Sequence, residues 1–213
     1  MKTIAILMAL TLPLGLQAQS GKYDPATELR GSGQIIRSTK TVAAFDAIEV
    51  SQFPAQITVE VGATTESSVT LSADDNLQPL VRIVSENGTL RLFVEEAQNK
   101  RFWISKASLR VVVKTPQLNR FTHGSNSDVV ISGLQNKSFD LVNEANGEVT
   151  LRGRTDTFKL ASSANGTVHA ETLTTQTADI VTQANATIRI NAQTVKAVSL
   201  ANATVINVAK RGR

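Results

Sequence analysis

The chain has 213 residues, is 41% hydrophobic and 19% charged, carries a formal net charge of +4 and contains no cysteine. The missing cysteine excludes disulfides, thiolate metal sites, a cysteine nucleophile and a lipid-modified cysteine behind a leader. The charge is mild and Lys210-Arg211-Gly212-Arg213 is the nearest thing to a basic run, which argues against nucleic acid as a partner.

Residues 1–18 read as a cleaved secretory signal: Lys2 supplies the positive start, Ile4 to Leu16 a short apolar stretch, and Leu16-Gln17-Ala18 a small-residue cleavage site. The apolar stretch is too short for a membrane anchor, so no integral membrane segment is expected after signal cleavage. Residues 19–30 are polar, carry Pro25 and read as a leader.

From residue 31 onward the pattern is that of short strands. Phe45 to Val50 and Ile57 to Val61 alternate apolar and polar residues, and Val69 to Leu71 follows. Asp74 to Leu80 breaks the alternation and predicts a short turn of helix stopped by Pro79. Val81 to Val84 and Leu90 to Val94 flank Asn87-Gly88, a hairpin signal because both residues tolerate positive φ. Leu109 to Val113 is a further strand, closed by Thr115-Pro116.

A repeat then begins. Asn126, Asn146, Asn165, Asn185 and Asn202 each follow Ser or Ala and precede a β-branched run, at spacings of 20, 19, 20 and 17 residues. Three positions after each asparagine stand Val129, Val149, Val168, Ile188 and Val205; five positions before stand Phe121, Leu141, Leu160, Ile180 and Ala197. A period near 20 means stacked units. Thr, Val and Asn are poor helix formers, so the units are strands with a corner at the asparagine. The expected fold is an all-β, single-domain, right-handed parallel β-helix over residues 31–213, with coils of about 20 residues. A β-sandwich is the alternative architecture. The asparagines are expected to form a structural ladder, since Asn tolerates a tight corner and its amide can both donate and accept.

In their order along the chain these motifs resemble the head-GIN domain family of secreted bacterial proteins, which carries an auto-transporter adhesin label. The resemblance covers about residues 30–208: Gly31-Ser32-Gly33, Phe45 to Val50, Ile57 to Gly62, Asn87-Gly88-Thr89-Leu90, Leu109 to Val113 with Thr115-Pro116-Gln117-Leu118, and the repeats. The family often has Ser-Gly at the corner where this chain has Asn-Gly or Asn-Ala. The resemblance implies an exported parallel β-helix of Bacteroidetes-like bacteria with no established enzyme activity.

Motifs for catalysis are missing: there is no HExxH, GxSxG or phosphate-binding glycine loop. His123 and His169 read as surface histidines. Asp128 and Glu148 occupy equivalent positions on adjacent units, with Asp140, Glu144 and Asp156 nearby, and would be the carboxylates of a carbohydrate-active enzyme. The next units place Thr167, Thr187 and Thr204 there instead, an ordinary strand column. No catalytic residue, cofactor or metal site is therefore expected. One segment stands outside the repeat: Asn99 to Lys106 joins the only tryptophan to three cations. Lys100, Arg101 and Trp103 form the candidate binding patch, because an exposed aromatic beside Arg is a good contact anchor; alternatively Phe102 and Trp103 cap the core. The reading is a non-catalytic, exported envelope or extracellular binding module, periplasmic or outside the cell, for an envelope polymer, glycan or protein. The alternatives are a carbohydrate-active lyase or hydrolase and a subunit assembling with itself end to end.

Overall fold

The computed structural model describes residues 27–95 and 102–209. The signal read at residues 1–18 and most of the polar leader lie outside the described residues, but the leader's end forms a strand, β1 (Thr27–Arg30). It pairs in parallel with β8 (Phe102–Ser105) as a two-stranded sheet.

The other strands make one sheet of 13. They are β2 (Ile35–Thr41), β3 (Ala47–Ser51), β4 (Gln56–Val61), β5 (Ser68–Asp74), β6 (Val81–Glu86), β7 (Thr89–Val94), β9 (Leu109–Thr115), β10 (Arg120–Gly124), β11 (Val129–Asn143), β12 (Val149–Ser162), β13 (Thr167–Thr182), β14 (Thr187–Ser199) and β15 (Thr204–Asn207). The expected helical turn is a 3-10 turn over Gln78–Leu80, with Pro79 inside it.

In the repeat half, β11 to β15 pair in parallel, each with the next. Val129, Val149, Val168, Ile188 and Val205 stand in one register column, and all but Val205 are buried. Phe139 stacks on Phe158 at 6.4 Å between ring centroids. Each long strand runs from one corner almost to the next and bends midway, rather than splitting into two short strands. In β11 the bend is at Gly133, where the register with β12 shifts. Gly133 has φ +80°, and a Cβ there would lie 2.2 Å from the Val61 carbonyl oxygen. Glycine alone allows both that backbone turn and that approach.

The bend divides β11 between two partners. Residues 129–132 pair with β4, and residues 140–143 pair with β10. From this fork two arms run out. One is β4, β9, β5, β2; the other is β10, β3, β7, β6. Each arm mixes parallel with antiparallel pairs. β5 lies antiparallel to both β2 and β9, and β6 lies antiparallel to β7 across Asn87-Gly88, whose φ values are +51° and +75°.

These pairings overturn the right-handed parallel β-helix. The molecule is instead all-β with one curled, mixed 13-stranded sheet forming a half-barrel. The physical reason lies before residue 119. That stretch lacks the 20-residue repeat: the reversal at Asn87-Gly88 lays β6 antiparallel to β7, and β5 runs antiparallel between β2 and β9, where stacked coils would make every pair parallel. The concave side buries a single cluster that includes Phe53, Leu118, Phe121, Leu134, Phe139 and Phe158.

Candidate functional site

Three local arrangements bear on function, and the corners come first. Asn126 Oδ1 accepts the N–H of Asn146 at 3.0 Å, Asn146 Oδ1 that of Asn165 at 2.9 Å, and Asn165 Oδ1 that of Asn185 at 3.0 Å. The side chain thus bonds to the next corner's backbone, not to the next amide. Asn202 stands at the last corner, where the Ala203 N–H returns to the Ala201 carbonyl at 2.9 Å. Asp128 continues the same device, its Oδ1 accepting the Glu148 N–H at 3.2 Å. One oxygen of the carboxylate proposed for acid–base work is therefore committed to the backbone. Glu148 has a side chain 67% exposed and lies 4.0 Å from His169.

The histidines differ from each other. His123 is fully buried, not on the surface. Its Nδ1 lies 2.8 Å from Asn143 Oδ1 and its Nε2 3.2 Å from Ser127 Oγ. Register places His123, Asn143, Ser162, Thr182 and Ser199 in one column, and all but Ser199 are buried, so a polar seam runs through the apolar interior. Asn143 Nδ2 and Ser162 Oγ have no partner in that seam. His169 is on the outer face, with Glu171 Oε1 at 3.5 Å from Nδ1 and Arg189 reaching the same oxygen at 2.7 Å. Burial opposes ionisation of Glu171, but its own backbone N–H, His169 and Arg189 outweigh it and hold the carboxyl below its usual range. Among the described residues no group of three His, Asp or Glu side chains is placed to hold a metal ion.

The third arrangement is a groove of about 580 Å³. Its walls are the starts of β4 and β9, the ends of β2 and β5 that meet there, and the first corner. Gln56, Ser72, Ser108, Arg110, Asn126 and Asp128 supply its polar groups. The size falls within the range of small-ligand sites. Arg110 donates to Gln56 Oε1 at 3.0 Å, which fixes both side chains on neighbouring rigid strands. Beneath the wall, buried Asp74 accepts the N–H groups of Gly33 at 2.7 Å and Ser108 at 2.8 Å, tying the start of β2 to the start of β9. The groove therefore offers a cation, a carboxylate and amide groups in fixed places.

Of the residues that the sequence marks as a patch, Lys100 and Arg101 lie outside the described residues. Trp103 stands on β8 opposite Glu28. That strand leads directly into Ala107 and Ser108, which line the groove. Sequence reasoning singled out Asn126 and Asp128 but missed Gln56, Ser72, Ser108 and Arg110. Those four sit on separate strands or loops with no shared spacing, and the pairing of β4, β5 and β9 alone brings them together.

Fold and groove first define a class: an all-β repeat sheet presenting a rigid face and a shallow polar groove. The chain belongs to the family described as "Putative auto-transporter adhesin, head GIN domain", which matches residues 44–211. Among solved structures, the chain is similar to a putative adhesin from Bacteroides fragilis NCTC 9343, at 17% identity and a TM-score of 0.64, covering 84% of this chain and 100% of the other. It is also similar to a putative lipid binding protein from Parabacteroides distasonis ATCC 8503 (10% identity, TM-score 0.49, covering 85% and 100%). A putative adhesin from the same strain gives 15% identity, a TM-score of 0.46 and coverage of 85% and 100%. No curated protein matches the chain. At these identities the first likeness speaks to fold alone, and the other two carry no argument.

Proposed function

We propose that the protein is a non-catalytic, exported binding module of the cell envelope or the extracellular space. Residues 1–18 act as its signal, 19–30 as a leader that joins the fold at Thr27, and 31–213 as one binding domain. Membership of an adhesin-like family supports this reading, and the polar groove beside the first corner carries it. The groove's Arg110 and Asp128 suit a ligand with hydroxyl, amide and charged groups, such as an envelope glycan or an exposed polypeptide. Among the described residues no helix is long and apolar enough to cross a membrane.

In this reading Lys100, Arg101 and Trp103, the aromatic and cationic cluster of the sequence, supply a second set of contacts. The test is saturable binding of purified mature protein to isolated envelope polymers. Arg110→Gln combined with Asp128→Asn removes both charges while keeping an acceptor for the Glu148 N–H. It is expected to weaken binding at least about tenfold, the loss of two charge-assisted contacts. Arg101→Ala with Trp103→Ala is expected to weaken it less. Unchanged binding in the first double variant would move the site away from the groove.

A further inference from the structure

The sheet ends on β15, but β15 covers only part of β14. Its four residues pair with Thr187 to Ile190. From Thr194 to Ser199, β14 pairs with β13 alone among the described residues. Here the core is open: Ala197, which continues the column of Leu141, Leu160 and Ile180, is exposed. Val198 is 57% and Leu200 70% exposed. Natural sheets guard such an edge with charges, proline or a bulge, and this stretch carries a single lysine, Lys196.

That lysine ends a pattern. Across successive strands the register sets Arg120, Asp140, Lys159, Asp179 and Lys196 side by side, alternating in sign at every step. Cross-strand neighbours of opposite charge favour pairing, and like charges oppose it. The strand that would follow Lys196 should therefore present an acid there. It should present apolar residues on either side, to continue the Val195 and Ala197 columns.

The chain's segments outside the described residues do not fit. Lys210-Arg211-Gly212-Arg213 has no acid, Asp24 is followed by Pro25, and Glu96 stands between Glu95 and Ala97. We propose that the free edge of β14 is a docking site for an extended strand of a partner protein bearing an apolar–acidic–apolar triplet, added in parallel as the next rung. Main-chain hydrogen bonds would give affinity and the triplet specificity. This surface is separate from the polar groove.

The chain supplies its own probe. A synthetic peptide copying residues 175–184, which contains Ala178-Asp179-Ile180, has the required pattern. It is expected to bind the intact mature protein saturably in fluorescence polarisation. A peptide with lysine in place of Asp179 should bind about fivefold more weakly, as the loss of one exposed charge pair and the gain of one like-charge contact predict. Lys196→Glu in the protein should invert the preference, and Lys196→Gln should erase it. No binding of either peptide, or the same preference in all three proteins, overturns the proposal. A concentration-dependent dimer in sedimentation that Lys196→Glu abolishes also overturns it, by assigning the edge to a second copy.

Discussion

The two halves of the sheet solve the same problem, strand register, by different means. In β11 to β15 register is written across the strands. Asparagine bonds corner to corner, valine and isoleucine stack in columns, and charges alternate in sign along the outer face. In β2 to β7 and β9 register is written along the chain, by the reversal at Asn87-Gly88 and by Asp74 clamping two backbone amides. Repetition gives the first half a uniform face and interior columns of like residues, polar through His123 and apolar through Val129 and Phe121. The second half loses that uniformity but gathers unlike side chains at one end, and the groove forms there. Binding surfaces arise where a regular scaffold meets irregular chain.

The comparison breaks most sharply where the halves join. Gly133→Ala forces a side chain against the Val61 carbonyl at a positive φ. It should cost about 3 kcal/mol or more, and far-UV circular dichroism in urea should show both halves weakening in one shifted transition, since β11 pairs with each. A variant as stable as the parent would mean that the fork does not depend on that approach.

Within the repeat half, Asn146→Ala leaves the Asn165 N–H without its acceptor and should cost about 1 kcal/mol. Asn202→Ala, at the last corner, should change the melting temperature hardly at all. Equal losses at the two positions would show that the corner residue matters for its turn and not for its ladder.

The smallest effect concerns acid. Because Glu171 is held below the usual carboxyl range when folded, its stabilisation is present above its unfolded pKa and is lost as pH falls through the lower folded value. Glu171→Gln should therefore be slightly less stable than the parent at neutral pH and indistinguishable from it in strong acid. A difference that persists at the acid limit would trace the effect to packing instead.

Much of this was legible from residue pattern because the repeat is local. The columns through Val129 and Phe121, the corner positions and the Asn87-Gly88 hairpin follow from spacing and turn chemistry alone. The architecture was not legible, because spacing describes only the strands that repeat. Nothing in the local pattern of Ser68 to Asp74 says that this strand runs antiparallel to two neighbours; long-range pairing decides it. The burial of His123 was not legible for a related reason. Its polarity suggests a surface, but three residues before the corner the side chain points inward, and Asn143 and Ser127 supply the partners. The groove was illegible apart from Asn126 and Asp128, since its other polar residues share no spacing.

The proposed function requires that the protein bind its ligand without turning it over. The direct measurement is a binding screen of the purified mature protein against envelope fractions and defined glycans, with product analysis of every sample that binds. A binding module gives saturable binding, weakened by Arg110→Gln with Asp128→Asn, and no new products. Products that accumulate with time and vanish in Asp128→Asn with Glu148→Gln would contradict it and make those carboxylates catalytic.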